Sequence, residues 1–331
     1  MQIRMILLST ALALLFAPRV GLAQQFDTPD ASSFVSAVRP PETWLPLLAD
    51  RTQFDSAHPV KGEMDVRPGF TRELLRVEWS IGDPIDLYIV RPANTARPPV
   101  VLFLYSWPSG TDRFRNDAWC RTVAQHGFAA VGFVSALTGQ RYHDRPWKEW
   151  FVSELPEVLG KSVHDVRLQL DYLGTRADLD IDHAGIFGQG SGGTVALLTA
   201  SVEPRLKAID VIDPWADWPD WYGASPIVPD WQRVRYVTED FQKRVSSFEP
   251  IRFLPALDGR SLRLQESTLN PSTPAVAREK LRNALPKGAN YTLYKDETEY
   301  RLRAMADGKI LDWLQALLAK PETIAAGNSS K

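Results

Sequence analysis

Cysteine occurs once in the 331 residues, at Cys120, so no disulfide can form within the chain. Stability has to come from a packed core, which a chain of this length can supply. Cys120 lies in DAWCRTVAQHGF, where helical spacing of apolar residues marks it as a buried structural thiol. Histidine is scarce too. His58, His126, His143, His164 and His183 are the five, and none follows residue 183. Neither charge sign is in excess: 38 Lys and Arg stand against 40 Asp and Glu, and basic runs are missing. That balance gives no sign of a nucleic-acid or anionic-membrane partner, and nucleic acid is not expected as one. Zinc-ligand spacing, internal repeats and low-complexity segments are absent as well, and no metal or organic cofactor is called for.

Long hydrophobic runs are also missing. The apolar run from Met5 to Ala17 is shorter than the ~20 residues a bilayer span needs. With Arg4 before it and the small residues Gly21 and Ala23 after it, it reads as a signal peptide over residues 1–23, cleaved after Ala23. No cysteine lies near that point to carry a lipid anchor, so the mature chain is expected to be periplasmic or secreted, without a membrane span. Residues 24–70, rich in Pro, Asp and Ser, read as an N-terminal arm, and residues 321–331 as a disordered tail.

Between them, residues 71–320 alternate. RELLRVEWS and PIDLYIVRP have strand periodicity around a Gly82-Asp83-Pro84 turn, and VVLFLYS is a continuous apolar run, as in a fully buried strand. Helical patterns follow at 113–126, about 155–175, TVALLTASV, PAVAREKLRNAL and YRLRAMADGKILDWLQALLA. Strands fall at FAAVGFVSA, AGIFG, LKAIDVID, SLRLQES and NYTLYKD. A Trp- and Pro-rich insertion at about 214–255 interrupts the series. This order predicts an α/β domain with a mostly parallel sheet and helices on both faces. Functional side chains then belong at the carboxyl ends of the strands.

One such end is GIFGQGSGGT, residues 185–194. Together with HDVRLQLDYLGTRADLDIDHAGIFGQGSGGTVALLTA, VEPRLKAIDVIDP and LRLQESTLNPSTPAVAREKLRNALPKGANYTLY, it resembles the α/β-hydrolase family. The resemblance is to the branch of dienelactone hydrolases and secreted acyl esterases, over about residues 75–320. It implies an α/β-hydrolase fold with a cap over the pocket at 214–255, and a G-x-S-x-G turn that carries a serine nucleophile at its apex. Small residues must lie two before and two after the apex. Ser191 as apex puts Gln189 in one of those places, whereas residue 190 as apex puts Gly188 and Gly192 there, and the apex itself is then Gly190.

The resemblance also places the acid near Asn270 and the histidine about at Glu299, so all three triad side chains are replaced. Loss of a serine nucleophile or its base costs ~10⁶ in turnover in a well-studied protease and leaves ~10³–10⁴ over water. Hydrolysis by the family mechanism is therefore not expected. Backbone donors for an oxyanion remain available beside Ser106 and Trp107 and at Ser191.

The expectation is thus a catalytically degenerate protein that binds a small acyl or aromatic ligand, or a protein partner, under the Trp-rich cap. Ser106, Trp107, Gln189, Ser191, Asp213 and Trp215 would form the pocket and oxyanion region. The alternative is an active esterase that uses Ser191 as nucleophile, with His143 of the RYHDRP loop as base. Asp213, Glu266 and Glu299, all at strand ends, offer an acid–base pair or a cation site. Trp215, Trp218, Trp221 and Trp231 either line a cleft with Trp107 and Trp147 or form the cap's own core. A third reading takes Gly188, Gly190 and Gly193 as a G-x-G-x-x-G dinucleotide fingerprint, with Asp213 at the end of the next strand.

Overall fold

The computed structural model describes residues 59–79, 83–137, 141, 151–268, 270–303 and 308–318. The expected signal peptide, the arm up to residue 58, the loop with His143 and Trp147, and the tail 321–331 lie outside the described residues.

Nine strands form one sheet in the order β1-β2-β3-β5-β4-β6-β7-β8-β9. These are β1 (Val60–Arg67), β2 (Phe70–Val77), β3 (Ile85–Pro92), β4 (Pro99–Leu104), β5 (Ala129–Phe133), β6 (Asp180–Gln189), β7 (Leu206–Ile212), β8 (Ser261–Ser267) and β9 (Asn290–Tyr294). The pairs β1–β2, β2–β3 and β3–β5 are antiparallel, and every pair from β5 through β9 is parallel. The expected α/β architecture is present.

β4 explains why its sequence is apolar without a break. Val100, Leu102 and Leu104 enter the core on one face, while Val101, Phe103 and Tyr105 enter the core on the other. On the first face lie α2 (Leu155–Gly174) and α3 (Ser191–Val202). On the second lie α1 (Asp117–Gln125) and α9 (Lys309–Leu318). α3 is buried from Ser191 to Ala200, which is why its sequence shows no polar stripe. Cys120 on α1 is buried, with its thiol against the Phe114 carbonyl, and burial pushes the thiol up to about 11.

Two expectations about the elements are corrected. The arm was expected to run to residue 70, but VKGEMDVR forms edge strand β1. Its polar, exposed face gives no alternating pattern to read. The final helix was expected to be continuous. It is instead two helices, α8 (Glu297–Arg301) and α9, with Gly308 at φ 65° immediately before the second. A left-handed residue cannot continue an α-helix.

The insertion folds as α4 (Trp218–Ala224), α5 (Asp230–Tyr236) and α6 (Glu239–Val245), followed by 3₁₀ turns through Leu257. Trp215, Trp218, Trp221 and Tyr222 are fully buried, and the Trp215–Trp221 centroids are 4.7 Å apart. Tyr222 meets Phe241 edge-on at 5.0 Å. Half-buried Glu249 accepts hydrogen bonds from the N–H groups of Asp217, Trp218 and Ile251, which fixes the left-handed turn at Asp217. These three tryptophans are packed as the cap's own core. Trp231 is 71% exposed on α5. α7 (Ala275–Asn283) anchors the cap from outside through Lys280, whose Nζ lies 2.6 Å from Asp217 and 2.9 Å from Asp220.

Candidate functional site

β6 ends at Gln189, and α3 begins at Ser191. Gly190 between them has φ 54° and ψ −121°. This residue, not Ser191, is the apex of the turn. Its neighbours must be glycine for steric reasons. A Cβ at Gly188 would lie 2.5 Å from the Gly192 carbonyl oxygen, and one at Gly192 would lie 2.3 Å from the Leu104 carbonyl oxygen. Strand, turn and helix are in backbone contact there. Gly193, with Pro214 Cβ 3.0 Å from its would-be Cβ, has less pressing need.

The space above the apex is taken. A Cβ on Gly190 would sit 2.2 Å from Ser106 Oγ, 2.7 Å from Ser106 Cβ and 3.5 Å from Trp215 Nε1. Ser106, just past the end of β4, thus puts its hydroxyl where a side chain of residue 190 would project. A pyrophosphate would need this space to reach the backbone of the second glycine, so the dinucleotide reading loses its geometric basis. The indole N–H of Trp215 is buried and has no hydrogen-bond partner among the described residues. Its own carbonyl accepts from Thr194 Oγ1 at 2.7 Å, which ties the cap to α3.

Ser191 is 1% exposed, and its Oγ accepts the Trp107 N–H at 2.9 Å. One of the backbone donors that the sequence left open for an oxyanion is therefore spent inside the protein. The Ser191 hydroxyl in turn is held at the first residue of a buried helix. Gln189 is half-buried at the end of β6.

The other strand ends carry polar groups with assigned work. Asp213 follows β7 at φ 46°, a conformation that short polar side chains tolerate. Its Oδ1 accepts from Ser267 N at 2.9 Å, and the Asn270 amide also hydrogen-bonds the carboxylate. Asn270, in the place expected for the acid, uses its Oδ1 to accept from Ser272 N at 2.7 Å. It therefore braces Asp213 and the loop after β8. Glu299 caps α8. Its Oε2 accepts from Lys295 N at 2.7 Å, while Asp296 accepts from Glu299 N at 2.9 Å, and Arg303 pairs with it at 3.1 Å. Glu266, at the end of β8, is bonded through Oε2 to Tyr291 and Arg282. The three carboxylates thus serve separate loops, and among the described residues no group of three or more His, Cys, Asp or Glu could hold a metal ion. His183 lies within β6 and contacts Asp180 at 3.0 Å. His143 lies outside the described residues.

Burial raises the Asp213 carboxyl to about 6, against the hydrogen bonds from Asn270 and Ser267 and the nearby Arg278. The folded protein holds this proton more tightly than the unfolded chain does. The resulting stability is complete below about pH 4 and is lost as pH rises through about 6. Between pH 4 and 7 this group is expected to lower the unfolding free energy by on the order of 2–3 kcal/mol. Urea titrations across that range measure the slope. Asp213→Asn should flatten it, and an unchanged slope would contradict the assignment.

Against this geometry stand the similarities to known proteins. No family model matches the chain. A stretch of 149 residues is 28% identical to "Putative hydrolase YtaP" of Bacillus subtilis (strain 168), covering 41% of this chain and 50% of that protein, so the match spans about half the relative's length. Acetyl xylan esterase 1 from Thermoanaerobacterium sp. JW/SL YS485 superposes with a TM-score of 0.65 at 13% identity, over 83% of this chain and 92% of that one. Acetyl xylan esterase from Paenibacillus sp. R4 does so with a TM-score of 0.63 at 18% identity, over 81% and 91%. The strand order, the Gly190 turn and these superpositions agree that this chain has the α/β-hydrolase fold.

Proposed function

We propose that the protein is a non-hydrolytic member of this fold, which binds a small acyl compound beside the filled apex at Gly190, against the Ser106 hydroxyl, without cleaving it. The observation that carries the reading is the occupied apex: Gly190 has the turn's backbone but no side chain, and Ser106 Oγ lies 2.2 Å from where one would begin. The Ser106 hydroxyl and the unpartnered Trp215 N–H both face that point, and α3 presents its N-terminal N–H groups beside it. Hydroxyl, indole and helix N-terminus together suit a carbonyl or carboxylate oxygen. The residues at the expected acid and histidine positions supply no base there: Asn270 has no titratable group and braces the loop after β8, and Glu299 caps α8. The N-terminal stretch MQIRMILLSTALALLFAPRVGLAQQ supports export to the periplasm or medium. No helix among the described residues is long and apolar enough to cross a membrane.

Titration with phenyl acetate, followed by chromatography of the mixture, tests both halves of the reading. The expected result is a saturable rise in melting temperature that Trp215→Phe weakens by roughly 5-fold or more, with the ester recovered intact. Turnover of the ester that Ser191→Ala abolishes would establish an active esterase instead. That alternative draws its support from the esterases that share the fold.

A further inference from the structure

On the opposite face of the sheet from α3, a cavity of about 140 Å³ lies between β4, β6, α1, α8 and α9. Its walls are Phe103, Phe187 and Trp119. These rings brace one another: Phe103 meets Trp119 edge-on at 5.4 Å and Phe187 at 5.6 Å, and Trp119 meets Phe114 at 4.7 Å. The walls are therefore held in place by packing and need no ligand to order them. An apolar cavity of roughly 150 Å³ accepts a benzene ring in an engineered protein, so the space suits one aromatic ring.

The polar groups of the cavity gather around Arg113. Its guanidinium lies over the Tyr105 ring, 4.6 Å from the centroid, and Tyr300 lines the same space. Tyr105 and Tyr300 are 8% and 2% exposed, and burial pushes both phenols up, so each hydroxyl stays a donor. Arg113 is half-buried. Unlike Arg72, Arg141, Arg176 and Arg205, it has no carboxylate within salt-bridge distance among the described residues. A half-buried guanidinium that rests on an aromatic face at the edge of an aromatic slot, with no carboxylate partner among the described residues, suits an incoming anion. Exposed Asn116 borders the cavity and gives it a side open to solvent.

We propose that this cavity is a second binding site, for a small aromatic carboxylate, with the ring against Phe103, Phe187 and Trp119 and the carboxylate on Arg113. Few polar groups in a mostly apolar hollow are what such ligands require, and the guanidinium sets the sign of the charge. The site does not rest on the reading of the Gly190 turn, and it uses none of that turn's side chains.

Isothermal titration of the full chain with sodium benzoate, beside benzamide and beside Arg113→Met, tests it. Benzoate should bind with one-to-one stoichiometry. Benzamide, which keeps the ring and loses the charge, should bind roughly 10-fold more weakly or worse, and Arg113→Met should weaken benzoate by a similar factor. Thr122→Phe, which fills the slot from α1, should abolish binding in a protein whose circular dichroism and melting temperature show it folded. Absence of benzoate binding at millimolar concentration would overturn the proposal. So would equal affinity for benzamide, or benzoate affinity unchanged in Arg113→Met. The outcome of phenyl acetate titration at the turn is read separately, since that ligand carries no charge for Arg113.

Discussion

Serine introduced at residue 190 is expected to destabilise the protein by about 2–6 kcal/mol and to leave it unable to hydrolyse esters. Two terms add. At φ 54° a non-glycine residue is strained, at on the order of 1–3 kcal/mol. Its Cβ would then meet Ser106 Oγ at 2.2 Å and Ser106 Cβ at 2.7 Å, an overlap that costs about 1–3 kcal/mol to relieve by movement. Because the second contact is with Cβ, Ser106→Ala relieves only part of it, whereas Ser106→Gly removes both atoms. Urea unfolding of Gly190→Ser, alone and with each change at 106, should therefore rank Ser106→Gly above Ser106→Ala as the rescuing partner. Equal rescue by the two would mean that Ser106 does not occupy the apex. Neither double variant should gain turnover, since no base is supplied with the hydroxyl.

The second large effect lies under α9. Asp210 of β7 is fully buried and pairs with Arg263 of β8 through two bonds, Nε at 2.9 Å and Nη2 at 2.6 Å. Gln265 donates through Nε2 to the same carboxylate at 2.7 Å, and its Oε1 accepts from the Tyr294 hydroxyl. Arg263 also bonds the Ile310 carbonyl at 2.7 Å and stacks on Trp313, 4.9 Å from the ring centroid. Burial raises the Asp210 carboxyl against its partners. Arg263→Met would strand a buried carboxylate and release α9, at a cost of about 3–5 kcal/mol. Changing both residues to apolar ones of similar volume should recover much of that loss, because the pair's own desolvation is then removed too. Chemical denaturation of the two single variants and the double variant measures the coupling. A double variant as unstable as the sum of the singles would contradict the account. Ile310 also lines the aromatic cavity, so Arg263→Met should weaken benzoate binding at that site as well.

The parallel part of the sheet was legible because each strand carries its own pattern. SLRLQES is β8 residue for residue, and the uninterrupted VVLFLYS reflects burial on both faces. β1 was not legible, since an edge strand exposed on its surface needs no apolar alternation. The break before α9 turns on one glycine, whose backbone angle a helical pattern does not reveal. At the turn, the register implied by the family resemblance placed Gly190 at the apex, because small residues must flank it. What the sequence could not convey is the arrival of Ser106 from a strand eighty-odd residues earlier, or the lone N–H of Trp215. Those depend on long-range packing. Nor could it pair Arg113 with Tyr105 and Tyr300, which three separate segments bring together. The tryptophans of the insertion carried two readings in the sequence, and burial decides between them for Trp215, Trp218 and Trp221.

The central claim is that the turn at Gly190 holds no working nucleophile. Intact-mass spectrometry of the native protein after incubation with a fluorophosphonate tests it most directly, since an activated serine displaces fluoride and retains the phosphonyl group. The account predicts an unshifted mass for the native protein and for Ser106→Ala and Ser191→Ala alike. A stoichiometric adduct on the native protein, lost in either variant, would contradict it and identify the serine that acts.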